Sequence, residues 1–523
     1  MYLHNIIYDP FLSEMEAKHL SFIFISVLIF VSFIFRLVQI WKASKTFNKI
    51  LPPGPWSLPL IGNLHLLMNG PLPVHHTLRS LSRRYGPIFH LRLGEISIIV
   101  VSSPEMAKEI MKTQDLRFAT RPENMAGDII FYNYTDIITC PYGDHWRNMR
   151  KLCIVELLSA KMVKSFNSIR QAEMSSLISS VNSMPDDSLI NLSDKMFWFT
   201  SSVTCRSAFG KVIHDQDKLI MLVKDISSLA ARFDLADMFP SRKWLHKITG
   251  LKSKMLKVHK KVDAILENIL NEHQESRANG KKGNGETGGE DLIDVLFRVM
   301  ESGELGTPIT NKNIKGVIFD MFLAGAETSA TTIIWAMAEM IRNPSVMAKA
   351  QLEVRKVLKG KRTFEDIDLE ELKYLNLVIK ETLRLHPPVP LLIPRECREE
   401  TKIDKYIIPI KTRVMVNVWA IGRESKYWHN PESFIPERFE NNSIDFRGNH
   451  FEFTPFGAGR RMCPGLLFGL VNVGHPLAQL LYHFDWKTPH GIAPHNLDMT
   501  ETIGVASGRK DDLCLIATPF GLS

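Results

Sequence analysis

The sequence predicts a mainly α-helical protein with small β-sheets, carried behind an N-terminal membrane anchor helix. Three observations lead there. Residues 314–341 are an apolar run long enough for about eight helical turns. Residues 20–35 carry no charge at all, and 37–41 extend that run past a single arginine, Arg36. Segments that are β-branched or alternate polar with apolar are short, and fall at 88–93, 96–101 and 413–418.

Taken in order, residues 1–19 are an N-terminal extension, and either Met1 or Met15 serves as its start. The run at 20–41 reads as a transmembrane anchor, because no small-residue cleavage site follows it. Arg36, Lys42, Lys45 and Lys49 crowd its C-terminal flank while Asp9, Glu14 and Glu16 precede it, so the body is expected on the cytosolic side of the endoplasmic reticulum membrane, in a single-pass arrangement. Residues 42–65 are a basic and proline-rich hinge containing Leu51-Pro52-Pro53-Gly54-Pro55-Trp56. Residues 66–523 show no second compositional block, which allows one large catalytic domain.

Composition narrows the partners. Six cysteines without paired spacing or a Cys-x-x-Cys argue against disulfides and zinc. The net charge of +8, from 64 basic and 56 acidic residues, suits either an acidic protein partner or an anionic membrane surface. Gly283-Asn-Gly285-Glu-Thr-Gly288 has dinucleotide-loop spacing, but it follows a polar stretch rather than a strand and is read as a flexible loop. No motif supports nucleic-acid binding.

Near the C-terminus stands Phe456-Gly-Ala-Gly459-Arg-Arg461-Met-Cys463-Pro-Gly465. This is a cysteine flanked by glycines and arginines at the spacing that offers a thiolate to a heme iron. A thiolate ligand pushes electron density onto iron and favours O–O cleavage, so the site suits oxygen activation. Gly457, Gly459 and Gly465 allow positive φ and close approach of backbone to a porphyrin, and their amides can point at the sulfur. Arg461 is placed to meet a propionate. The competing reading of the same loop, a glycine-rich surface turn around a buried free cysteine, carries less weight.

Within 314–341, Ala324-Gly325-Ala-Glu327-Thr328-Ser329 puts small residues, an acid and two hydroxyls where a packed helix would choose large apolar side chains. Ala324 and Gly325 leave room above an iron, and Thr328 can bond a backbone carbonyl or hold water. Glu381-Thr-Leu-Arg384 ends an apolar-periodic stretch, and its three-residue spacing lets the two charges pair, either as a buried clamp or as an ordinary surface ion pair. Trp146 and Arg150 lie one helical turn apart and could equally form a surface cation–π pair.

Together these segments resemble the cytochrome P-450 family. Phe456, Gly459, Arg461, Cys463 and Gly465 fill its heme-binding signature, and Ala324-Gly325-x-Glu327-Thr328-Ser329 is similar to its oxygen-activation motif. Similarity runs from about residue 51 to the C-terminus and is closest to the plant microsomal enzymes of terpenoid metabolism. The resemblance implies the family fold, heme b with Cys463 as axial ligand, and dioxygen as co-substrate. It also implies electrons from NADPH through a cytochrome P-450 reductase, with cytochrome b5 as an optional second donor. By the same resemblance Glu327 and Thr328 serve catalysis, and Trp146, Arg150 and Arg395 join Arg461 on the propionates. Glu381, Arg384 and Arg438 of Pro436-Glu-Arg438-Phe439 form a structural triad.

The implied reaction inserts one oxygen atom into a C–H bond of a lipophilic substrate, using two electrons and two protons. Substrate contacts are expected from 121–138, 319–324, 389–393 and 503–507, with Phe131, Phe319, Ala324, Val389, Leu391 and Val505 as candidates for an apolar pocket. A sesquiterpene or diterpene is the first choice of substrate, and a flavonoid or alkaloid the second. A reductase-independent isomerase or dehydratase is disfavoured by the intact oxygen-activation motif, and a noncatalytic heme protein by the intact triad.

Overall fold

The computed structural model describes residues 51–521 except 69–71, 212–215, 231–234, 243, 280–289, 304–307, 362–364, 366–367 and 503, together with positions 23, 24, 26, 27 and 31. Those five positions are helical and exposed, and the rest of the expected anchor at 20–41 lies outside the described residues, as does the glycine loop at 283–288.

The helices that frame the site are α1 (Val74–Tyr85), α2 (Asp144–Leu152), α3 (Asn167–Asn182), α4 (Leu192–Phe209), α5 (Gln216–Ala230), α6 (Leu251–Ala278), α7 (Leu292–Ser302), α8 (Asn311–Arg342), α9 (Pro344–Leu358), α10 (Lys373–Leu385) and α11 (Leu466–His483). The strands are β1 (Ile88–Leu93), β2 (Ile96–Val101), β3 (Leu189–Asn191), β4 (Arg395–Glu396), β5 (Thr401–Ile403), β6 (Tyr406–Ile408), β7 (Arg413–Val416), β8 (Phe484–Lys487) and β9 (Cys514–Pro519). They make a four-stranded sheet β1-β2-β7-β4, a three-stranded sheet β3-β9-β8 and a β5-β6 hairpin.

The 32-residue α8 is the axis of the molecule. It starts at a capping box in which Asn313 N–H donates to Thr310 Oγ1 while Thr310 N–H donates to Asn313 Oδ1, and it stops at Asn343 because Pro344 disfavours helical backbone in the residue before it. It packs on α4, α11, α10 and α9, so 22 of its 32 residues are buried, most of them apolar. Among the described residues it is the one helix long and apolar enough to cross a membrane, and it runs through the protein core instead.

The observed strands have physical boundaries. β1 and β2 pair antiparallel across the turn at Gly94, whose φ of 62° suits glycine. β7 pairs parallel with β2 and ends at Val416, two residues short of expectation, because Asn417 turns its side chain to cap the next helical turn at Ala420. The proline-rich stretch beyond residue 51 is docked on β1: His90 N–H donates to Pro53 O at 2.9 Å and Arg92 N–H to Asn63 Oδ1 at 2.9 Å.

Candidate functional site

One cavity of about 270 Å³ lies between α8, the loop at 455–465 and the irregular segment 121–140. Cys463, Gly465, Phe456, Ala324, Gly325, Thr328 and Ser329 line it, so the two motif segments, far apart in sequence, face each other across one space.

The cysteine loop is held by its own backbone. Cys463 N–H donates to Phe456 O at 3.0 Å, and Gly457 and Gly459 sit at φ of 69° and 68°. At Gly459 a Cβ would stand 1.9 Å from the Met111 carbonyl oxygen, so glycine is required there by both conformation and space. Gly465 departs from expectation: its φ is −87°, an ordinary value. Its amide is the part that matters, since it hydrogen-bonds the sulfur. Burial pushes the Cys463 thiol up, with the Gly465 amide and Arg150 opposing it, so a cation bound at the sulfur is what would hold it as thiolate.

Four guanidiniums line the same cavity, those of Arg121, Arg395 and Arg461 buried and that of Arg150 half-buried. Arg461 donates to Ala119 O and Cys140 O, each at 2.6 Å, and Arg395 donates to Asp115 Oδ1 at 2.8 Å and to Ala458 O. Arg121, which the motif reading missed, donates to Ile138 O, Ile393 O and Pro394 O. Desolvation lowers the pKa of all four, Arg461 to about 9, and mutual repulsion adds to it for Arg121, Arg150 and Arg461. A buried cluster of like charge beside a thiol calls for a dianionic partner, and the two carboxylates of a heme fit that demand. No signal in the sequence around Arg121 marks it, because it stands alone in an irregular stretch.

Trp146 is buried on α2 and donates its indole N–H to Ile137 O at 3.0 Å. It stands behind the cluster rather than at the cavity surface, with the Arg461 and Arg150 guanidiniums 4.0 and 5.5 Å from its ring centre.

On α8, Thr328 Oγ1 donates to Ala324 O at 2.7 Å and the helix continues through it as regular α-helix. Gly325 allows close packing as well as room: a Cβ there would meet Thr204 Oγ1 at 3.3 Å and Phe468 at 3.4 Å. Glu327 is half-buried and does not line the cavity. Glu381 is fully buried and takes Arg384 Nε and Nη2 at 2.8 Å each, Arg438 Nε at 2.9 Å and Ile435 N–H at 2.8 Å, which supplies the further bonds a buried pair requires.

Of the six substrate-pocket candidates, Ala324 and Val389 line the cavity. Phe131 and Phe319 are core residues whose rings pack 6.0 Å apart behind it. Leu391 is turned away into the cluster beneath the N-terminal sheet, because the turn from Val389 to Leu392, with Leu392 at φ 51°, directs Leu392 and Ile393 to the cavity instead. Val505 is 42% exposed, since its segment is held outside the cavity by Ser507 N–H donating to Pro388 O at 2.8 Å.

Comparison with known proteins agrees with this geometry. The chain is 58% identical over 499 residues to premnaspirodiene oxygenase of Hyoscyamus muticus, covering 95% of this chain and 98% of the relative. It is 57% identical over 501 residues to 5-epiaristolochene 1,3-dihydroxylase of Nicotiana tabacum (95% and 98%) and 50% identical over 501 residues to desmethyl-deoxy-podophyllotoxin synthase of Sinopodophyllum hexandrum (96% and 97%). A zebrafish cytochrome P-450 solved with abiraterone superposes at a TM-score of 0.73 with 26% identity, over 86% of this chain and 99% of that one. The family profile of cytochrome P-450 matches residues 52–514, which takes in the cysteine loop, the buried triad and all of α8, and the chain therefore belongs to the cytochrome P-450 family of heme-thiolate monooxygenases.

Proposed function

We propose that this chain hydroxylates a terpenoid, a sesquiterpene or diterpene, at the endoplasmic reticulum membrane, with electrons passed from NADPH by a cytochrome P-450 reductase. The observation that carries the substrate class is the 58% and 57% identity to oxygenases of premnaspirodiene and 5-epiaristolochene across nearly the whole chain. The cavity wall supports it, being dominated by Ile137, Ile138, Phe166, Met321, Val389 and Leu392.

When bound, a thiolate-ligated heme supplies reductive activation of dioxygen. Cys463 would hold its iron, and Arg121, Arg150, Arg395 and Arg461 its carboxylates. The residues of this chain do the rest. Apolar walls exclude water and orient a hydrocarbon by shape, and Thr328 keeps a hydroxyl proton at the Ala324 carbonyl, beside the space left by Ala324 and Gly325. Glu327 lies next to it as an acid able to relay protons.

A second reading, a flavonoid or alkaloid on the same scaffold, draws on the 50% identity to desmethyl-deoxy-podophyllotoxin synthase, a relative whose name is not that of a terpenoid oxygenase. The test is a reduced carbon-monoxide difference spectrum of membranes carrying the chain, followed by spin-state titration against sesquiterpenes, diterpenes and flavonoids. A band near about 450 nm that is absent from a folded Cys463→Ser protein, with a shift for one terpenoid class, is the expected result. A shift with flavonoids alone would choose the second reading, and no band would refute the ligand assignment.

A further inference from the structure

Two of the buried carboxyls that the machinery above leaves unused, Asp136 and Asp320, lie together beside the cavity. Asp320 is on α8, in the series Gly316, Asp320, Ala324, Thr328 at successive four-residue steps, so each shares a face with the next. That face meets the segment 135–140: a Cβ on Gly316 would lie 3.4 Å from Thr135 Oγ1 and 3.5 Å from Asp136 N, close enough that the segment rests directly on the helix.

Asp320 Oδ2 accepts Ile137 N–H at 2.7 Å and Ile138 N–H at 3.3 Å. Asp136 Oδ2 accepts the same Ile138 N–H at 3.1 Å and Thr139 N–H at 2.6 Å, and its Oδ1 accepts the Thr139 hydroxyl at 2.7 Å. Two carboxyls thus converge on one peptide N–H. Asp136 is fully buried and Asp320 is 2% exposed, and Asp320 Oδ1 receives no donor.

The peptides these carboxyls hold are the ones that aim the cation cluster. Ile137 O accepts from Trp146 and Arg461, Ile138 O from Arg121, and Cys140 O from Arg461. The charged and titratable groups around the pair are Arg121, Arg461, Cys140 and Cys153. Both guanidiniums donate to backbone carbonyls rather than to either carboxyl, and two adjacent carboxylates cannot both ionise in so dry a place.

We propose that Asp136 and Asp320 share one proton, an O–H of one donating to the other, and that this pair is a positioning device locking the oxygen-activation helix to the segment that orients Arg121, Trp146 and Arg461. Desolvation raises the pKa of both groups, and for Asp320 repulsion from Asp136 raises it further, in agreement with the geometry. The proposal rests on the reading of the arginine cluster as the propionate clamp, and wild-type heme binding tests that reading separately.

The experiment uses the full-length membrane-bound protein. Asp320→Asn keeps an acceptor for Ile137 and supplies an N–H where the shared proton stood. It is expected to retain heme and the thiolate spectrum within about twofold of wild type. It should also lose the deuterium-sensitive C=O stretch of a protonated carboxyl from the infrared spectrum, and abolish any loss of heme above neutral pH that the wild type shows on deprotonation of the pair. Asp320→Leu, of similar volume but with no acceptor, is expected to lower heme retention at least tenfold. If Asn proves as damaging as Leu, an ionised carboxylate is needed and the shared proton is wrong. If the infrared band persists in Asp320→Asn, or Leu behaves as wild type, the proposal also fails.

Discussion

The Arg461 guanidinium lies 4.0 Å from the ring centre of Trp146, and both side chains donate to one acceptor, the carbonyl of Ile137. Trp146 is therefore the floor on which the Arg461 guanidinium stands, and its two contributions can be separated. Trp146→Phe keeps the ring face and loses the N–H bond, a cost of about 1 kcal/mol. Trp146→Ala loses the face as well and opens a cavity, a cost of about 3–5 kcal/mol. Heme retained per polypeptide and the thermal midpoint should fall in the order wild type, Phe, Ala.

Features whose cause is local were legible in the sequence. The length of α8 and the strands β1 and β2 follow from hydrophobic period, and the cysteine loop from the spacing of its glycines, arginines and cysteine taken with the other motifs. Features set by tertiary contact were not. Leu391 and Leu392 are indistinguishable as residues, and only the positive φ at Leu392 decides which of them meets the cavity. Gly474 inside α11 lowers helix propensity, yet a Cβ there would stand 2.9 Å from Leu369 Cδ2, so the glycine serves the close packing of α11. Arg121 and Asp320 acquire roles only once segment 121–140 folds onto α8.

Glu381 satisfies two arginines at once, so neutralising it should cost more than an ordinary ion pair. Glu381→Gln leaves Arg384 fully buried and Arg438 largely so without their carboxylate, and a loss of about 3–5 kcal/mol is expected. Thermal unfolding of the holoprotein measures it. A change below about 1 kcal/mol, the size of a surface ion pair, would contradict the burial argument.

Gly459→Ala tests the cysteine loop without touching the cysteine. Both the φ of 68° and the Met111 carbonyl oppose a Cβ, so the loop must shift. The shift also breaks the Arg460 N–H bond to Asp115 Oδ2, whose other oxygen holds Arg395. A carbon-monoxide spectrum moved away from the thiolate-ligated position, with the fold retained by circular dichroism, is the expected outcome.

The last prediction concerns acid stability and a hub outside the cavity. The Glu501 carboxylate lies 2.5 Å from His75 Nε2 and 3.2 Å from His76 Nε2, and accepts from the Trp419 indole at 3.2 Å and from Ser507 Oγ at 3.2 Å, so it ties the C-terminal segment to α1. Burial works against its ionisation, but the two histidine bonds outweigh burial and hold it far below its ordinary 4.5. Burial also holds His75 below its ordinary 6.5, against the pull of Glu501. The signs agree. A depressed folded pKa means that the unfolded chain binds the proton more readily, so stability is complete above the unfolded values and falls as pH falls. The loss should begin near pH 6.5, from His75, and steepen below 4.5, from Glu501. Thermal midpoints between these values should decline in the wild type. Glu501→Gln should begin lower at neutral pH and decline less steeply below 4.5. An equal slope in both proteins would place the acid sensitivity elsewhere in the chain.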